Sequence, residues 1–162
     1  MNNKLAKPVS ESIVKMDILM NPSMANFFGK VHGGNILKLA DEAAYVCGCK
    51  HSGYQCVTAS VDRVDFYNSI NIGDLVTFDI SVNYVGRTSM EIGVKVTAEN
   101  LLKGTRVHTN SCYFTMVALD ENGKPVEVPG LILENEEHQR RNAEAQYRRQ
   151  QRLDQRFKKN TK

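Results

Sequence analysis

Val14, Met16, Ile18 and Met20 alternate with Lys15, Asp17 and Leu19. This period of two predicts a strand with one covered face, closed by the turn Asn21-Pro22-Ser23. A loop through Ala25, Asn26, Phe27, Phe28 and Gly29 then leads to Val31-His32-Gly33-Gly34. From Asn35 to about Lys50 the spacing turns helical. Ile36, Leu37, Leu39, Ala40, Ala43, Ala44, Val46 and Cys47 cover most of the circumference, and Lys38, Asp41, Glu42 and Tyr45 form one polar stripe. Such a helix must be mostly enclosed. The chain that follows reads as β: Val57 to Asp65, Val76 to Tyr84, Met90 to Val96 and His108 to Leu119, each alternating apolar with polar or small residues. Turns at Asn71-Ile72-Gly73-Asp74, Gly86-Arg87 and Asp120-Glu121-Asn122-Gly123 separate or close them.

One apolar helix and a run of antiparallel strands have a simple solution, a single curved sheet wrapped around that helix. The fold class is therefore α+β and not βαβ. Each strand is expected to keep one wetter face. Five strands leave exposed edges, which sheets of this kind hide by self-association, so at least a homodimer is expected. Past Pro125 and Pro129 the chain turns polar. Residues 1–133 form the body, and residues 134–162 a charged tail of helical propensity with only Ala143, Ala145, Tyr147, Leu153 and Phe157 as apolar points. That thin stripe favours a solvated or frayed helix over a docked one.

Composition narrows the function. The net charge of +3 is uneven: the tail carries +4 and the body −1. The body therefore gives no electrostatic case for nucleic acid. No apolar run reaches the roughly 18 residues of a membrane span, and MNNKLAKPVSES lacks the apolar stretch of a secretory signal, so a cytoplasmic protein without membrane association is expected. Cys47, Cys49, Cys56 and Cys112 sit in apolar stretches with no CxxC pair and read as reduced thiols. His32, His51, His108 and His138 are scattered, without metal-ligand spacing, so no metal is expected.

Gly33-Gly34 before the helix is the first chemical signal. A helix N-terminus offers unpaired N–H groups to a developing oxyanion, and glycine leaves the approach open. Spacing by itself favours a plain tight turn. Asp41 lies two turns further along Gly34's stripe, at its edge, and is the better candidate for a half-buried general base, whereas Glu42 can pair with Lys38 on the surface. His32 could donate to a carbonyl or pack under the helix. No GxSxG elbow is present and no cysteine has an obvious paired histidine. Arg87, Thr88 and Ser89 place a cation and two hydroxyls at a turn, suited to phosphate oxygens, although a hairpin with a surface arginine explains them as well.

The order of segments Asn26-Phe27-Phe28-Gly29-Lys30-Val31-His32-Gly33-Gly34, Asp41-Glu42-Ala43, Val61-Asp62-Arg63-Val64-Asp65-Phe66, Gly73-Asp74 and Gly86-Arg87-Thr88-Ser89-Met90-Glu91 resembles the cytosolic acyl-CoA hydrolases of the hotdog superfamily. That branch includes brain-type long-chain and bacterial broad-range acyl-CoA thioesterases. The match spans about residues 10 to 130, and the charged tail is also usual there. The resemblance implies a hotdog fold and hydrolysis of fatty acyl-CoA to fatty acid and CoA, with no cofactor of the enzyme's own. It implies Asn26 and Asp41 as the catalytic pair, contributed by different subunits. Asp41 would be general base or nucleophile, His32, Gly33 and Gly34 would frame the thioester carbonyl with the Gly34 N–H as donor, and Arg87, Thr88 and Ser89 would lie near CoA. A trimer of dimers is the implied assembly. Phe27-Phe28 is bulkier than is common in that loop, which bears on acyl-chain preference. The competing classes are a non-catalytic acyl-CoA-binding sensor and an RNA-binding protein using the basic tail.

Overall fold

The computed structural model describes residues 5–160, with side chains through residue 155. Residues 1–4 and 161–162, at the two ends of the stretches considered above, lie outside the described residues, as does the side chain of Phe157. The elements run β1 (Lys7–Pro8), β2 (Val14–Leu19), α1 (Gly33–Ser52), β3 (Gln55–Val61), β4 (Leu75–Val85), β5 (Ser89–Asn100), β6 (Thr105–Leu119), β7 (Leu131–Ile132) and α2 (Glu136–Asn160). Short 3-10 turns lie at Val9–Glu11 and Pro22–Met24. The five long strands form one antiparallel sheet in the order β2-β4-β5-β6-β3, and β1 pairs with β7 in parallel.

Helix α1 lies across one face of that sheet and touches all five strands. Its buried side is made of small residues, Ala40, Ala43, Ala44, Cys47 and Gly48. A Cβ at Gly48 would stand 3.2 Å from both Cys56 Sγ and Ile92 Cδ1, so close approach of helix and sheet excludes any larger residue there. Beneath it the strands contribute Phe78, Ile80, Val82, Met90, Ile92, Val94, Phe114 and Met116, all buried. Full burial of each large side chain is worth about 1.5–3 kcal/mol. The helix ends where Gly53 turns left-handed at φ +75° and donates its N–H to the Cys49 carbonyl. At its start His32 takes the cap position, so the helix includes both glycines rather than beginning at Asn35.

Three expectations change. The strand expected from Val57 to Asp65 stops at Val61, because a bulge at Thr58/Ser60 turns it and Asp62 is drawn off towards α2. The tail is docked and not solvated: Ala145 is fully buried and α2 covers the outer face of β4 and β5. For the same reason the outer face is not uniformly wet, since Ser81, Asn83 and Glu91 are buried there. The docking face repeats as Arg141, Ala145, Arg148 and Arg152, a helical stripe written almost wholly in arginine, which a search for apolar spacing passes over.

Each of those arginines meets a polar group of the sheet. Arg141 donates to Ser81 Oγ at 3.1 Å, and the neighbouring Asn142 Nδ2 donates to the Asn83 carbonyl at 2.8 Å. Arg148 forms a two-pronged contact with Glu91, the shortest N···O distance being 2.7 Å, while its guanidinium sits 3.7 Å over the Tyr113 ring. Arg152 bridges Asp62 at 2.5 Å and Glu91 at 3.4 Å. The Glu91 side chain is 1% exposed, and these two arginines are the cations it meets there.

Removing one partner of a buried ion pair leaves the other charge stranded. Arg148→Ala is therefore expected to cost about 3 kcal/mol in urea unfolding at fixed protein concentration. Arg140→Ala, whose partners Glu137 and Glu144 are solvent-exposed, should change stability by less than about 1 kcal/mol.

His51 is fully buried, with Nε2 donating to the Pro129 carbonyl at 3.1 Å, and burial holds its pKa below the ordinary 6.5. The unfolded chain takes up a proton near 6.5 that the folded chain refuses. Stability from this group is thus present above pH 6.5 and lost as pH falls towards the lowered folded-state value. Unfolding free energies measured from pH 7 to pH 5 should show that decline, and His51→Gln should reduce its slope.

Candidate active site

The loop before α1 is closed on itself by Asn26. Its Oδ1 accepts from the N–H groups of Phe28 (2.9 Å) and Lys30 (3.1 Å), and its own N–H donates to the Lys30 carbonyl at 2.7 Å. Gly29 supplies the left-handed residue this tight loop needs, at φ +70°. The side-chain amide is thereby oriented, and Nδ2 has no hydrogen-bond partner among the described residues. Lys30 Nζ, held by Asn71 Oδ1 at 2.5 Å, anchors the loop's far side. Phe27 and Phe28 project from it almost wholly exposed.

At the helix start, His32 Nδ1 accepts the Gly34 N–H at 3.0 Å. A neutral imidazole accepting through Nδ1 carries its proton on Nε2. The Gly34 N–H, expected to be the oxyanion donor, is therefore already engaged by the cap. The Gly33 N–H is the one left without a partner among the described residues.

Asp41 is half-buried, as its position on the stripe predicts, and its Oδ1 accepts from Thr58 Oγ1 at 2.5 Å. Oδ2 has no partner among the described residues. Glu42 pairs with Lys38 at 3.8 Å on the exposed side, also as predicted. Thr58 is the residue missed. Nothing in its spacing marks it, because its contact depends on β3 lying beside α1.

These groups fall into two halves. Asn26, His32 and Gly33 sit at the start of α1, and Asp41 with Thr58 sits eight residues further on, about 12 Å along the helix axis. A single water does not span that axial gap. The register Val57–Val117–Ser89 runs across β3, β6 and β5. It places the hairpin of Arg87, Thr88 and Ser89 two strands, roughly 10 Å, from Val57 and Thr58. The carbonyls of Arg87 and Thr88 accept from Val128 and Ala118, which fixes the turn's backbone. The Arg87 side chain is exposed, with no carboxylate paired to it among the described residues. Beside the turn lies a cavity of about 250 Å³, lined in part by Ser60, Tyr84, Thr88, Ser89 and Arg149.

A thiol nucleophile finds no support. Burial pushes Cys47 up to about 12 and Cys56 and Cys112 up to about 11, so these three remain protonated at neutral pH. All four cysteines are unpaired. No described helix is long and apolar enough to cross a membrane.

Comparison with known proteins gives the family. The model of the thioesterase superfamily matches residues 28–105. Protein VdlD of Helicobacter pylori is 50% identical over 114 residues, which are 70% of this chain and 65% of that protein, so the chain spans a little under two thirds of its length. The structure superposes on that of an apo-hexameric acyl-CoA thioesterase with a TM-score of 0.90 and 38% identity, covering 93% of this chain and 97% of the other. It also superposes on the acyl-CoA hydrolase of Staphylococcus aureus, solved with butyryl coenzyme A, coenzyme A and coenzyme A disulfide. That match has a TM-score of 0.89 and 32% identity over 96% of this chain and 95% of the other. The staphylococcal enzyme has also been solved with an asparagine, an aspartate or a threonine changed to alanine. A likeness this extensive in both sequence and backbone means that the chain belongs to the acyl-CoA thioesterase family of the thioesterase superfamily, a family of thioester hydrolases built on the hotdog fold.

Proposed function

We propose that this protein hydrolyses fatty acyl-CoA to a free fatty acid and CoA in a site shared between two subunits, with Asp41 of one and Asn26 of the other. The observation that carries this reading is the half-buried Asp41 carboxylate, held through one oxygen by Thr58 and open at the other. Water attacks the thioester carbon while Asp41 Oδ2 takes its proton. The carbonyl oxygen becomes an oxyanion held by the Gly33 N–H and Asn26 Nδ2. Collapse breaks the C–S bond, and the proton on Asp41 passes to the departing CoA sulfur, leaving a carboxylic acid and a thiol. No metal or cofactor enters this scheme.

Two further features support it. The residues changed to alanine in the staphylococcal hydrolase are spaced along that chain as Asn26, Asp41 and Thr58 are here. The 12 Å between the two halves is also what a two-fold axis resolves, since it sets the first half of each chain against the second half of its partner. The partner contact proposed is the free edge of β3 with the exposed Tyr45, Val46, Val57 and Val61 beside it. Three such dimers make a hexamer, and one relative of this fold is hexameric. Arg87, Thr88 and Ser89, with the adjacent cavity, take the nucleotide end of CoA. The unpaired thiols fit a reducing compartment, and we assign the protein to the cytoplasm.

Thiol release from a series of acyl-CoA substrates tests the activity. Asp41→Asn and Asn26→Ala should each lower kcat/KM by roughly 10² or more. A wild type that binds acyl-CoA but releases no thiol would instead make the protein a sensor.

Mixed oligomers test the sharing. Statistical assembly of the two inactive variants should restore about a quarter of wild-type activity, because half the dimers are mixed and each of those has one intact site. No recovery in verified mixed dimers would assign both residues to one subunit. Single turnover in 18O-water separates the roles of Asp41: a base leaves its carboxylate unlabelled, and a nucleophile takes up the label.

A further inference from the structure

Phe66 lies in the irregular stretch between β3 and β4, outside every role described so far. Its ring tip meets the start of α1. A Cβ built on Gly33 would stand 3.2 Å from Phe66 Cζ and 3.6 Å from both Cε atoms. A side chain at position 33 would therefore press on the ring, which would have to give by a few tenths of an ångström. The loop that carries Phe66 is tied down along its length. Asp62 N–H donates to the Tyr113 carbonyl at 3.0 Å, Tyr67 N–H to Thr109 at 2.8 Å, and Asn68 Nδ2 to His108 at 2.8 Å. Beyond it the Ile70 carbonyl accepts from Val31 at 2.9 Å, one residue before the helix cap. Arg152 holds the Asp62 side chain from the other side of the sheet. On this tethered loop the ring is 49% exposed and lies against the Cα of Gly33, the residue whose N–H has no partner among the described residues.

We infer that Phe66 is a positioning residue of the hydrolase, whose ring screens the Gly33 N–H from water so that this donor is reserved for the thioester oxygen. The inference rests on the thioesterase reading above and adds to it a residue that touches neither Asp41 nor Asn26. Its physical basis is that a donor partly withdrawn from solvent acts more strongly on a developing charge, while water at the same N–H would compete with the substrate oxygen. Gly34 needs no such screen, because His32 already occupies its N–H.

The test pairs amide hydrogen exchange of the substrate-free protein with steady-state kinetics for Phe66→Ala and Phe66→Leu. Expected for Phe66→Ala are about tenfold faster exchange at Gly33 but not at Gly34, and a fall in kcat of about tenfold with KM within twofold. This fall is smaller than that from losing a whole oxyanion donor. Phe66→Leu, which keeps apolar bulk over Gly33, should recover most of both. Phe66→Val, too short to reach Gly33, serves in place of alanine should that variant not fold. Unchanged Gly33 exchange, or unchanged kcat, in the truncated variant overturns the role of Phe66. A wild type inert towards acyl-CoA removes the hydrolase reading instead, and the exchange result still reports on the screen.

Discussion

Close contact between the small-residue side of α1 and the sheet governs everything else in this molecule. Ala40, Ala43, Ala44, Cys47 and Gly48 let the helix lie directly on Ile92, Phe114 and Met116, and a helix seated on five strands has no freedom to slide or roll. Its two chemically useful places are then fixed relative to the sheet and to each other. The start of α1 meets Phe66, and Asp41 meets Thr58 on the edge strand. The same rigidity that orients these groups holds them about 12 Å apart along the helix axis, at two separate places on one chain.

The outer face of the sheet is held by different physics. There α2 brings Arg141, Arg148 and Arg152 onto Ser81, Glu91 and Asp62, with Ala145 the only fully buried apolar side chain among the described residues of the helix. A buried ion network of this kind adds less net stability than an apolar interface of equal area, yet it is directional and tolerates only one register of the helix. Asp62 ends the bulged strand that carries Thr58 and begins the stretch that carries Phe66. The tail on one side of the sheet thus steadies both halves of the site on the other.

Much of this was readable along the chain, for a reason that also marks where reading stops. The strands and α1 are written in local periodicity, which survives without knowledge of the fold: Lys38, Asp41 and Glu42 can be sorted into surface and half-buried positions by helical geometry alone. Asn26, and the choice of a CoA contact over a plain hairpin at Arg87, came from resemblance, because loops have no period. Thr58, Phe66 and the Glu91–Arg148 pair were invisible, since each acquires its meaning from a residue 17 to 57 positions away or from a contact across the sheet. The tail was misjudged because its buried stripe is arginine, and a carboxylate able to receive arginine there can be recognised only once β5 is known to lie beneath it.

The cap at His32 shows how much of the chemistry turns on such a local contact. A helix start has several unpaired N–H groups, and any of them could hold an oxyanion. Here an imidazole takes one of them for structure, and the Gly33 N–H beside it is left without a partner among the described residues. The Phe66 ring stands close to the Cα of Gly33, 3.2 Å from where a Cβ would be. The helix dipole alone would favour negative charge anywhere around this end. With Gly34 bonded to the His32 ring and Asn35 and Ile36 to the His32 carbonyl, that preference falls most directly on the Gly33 N–H, the one of these four without a partner among the described residues.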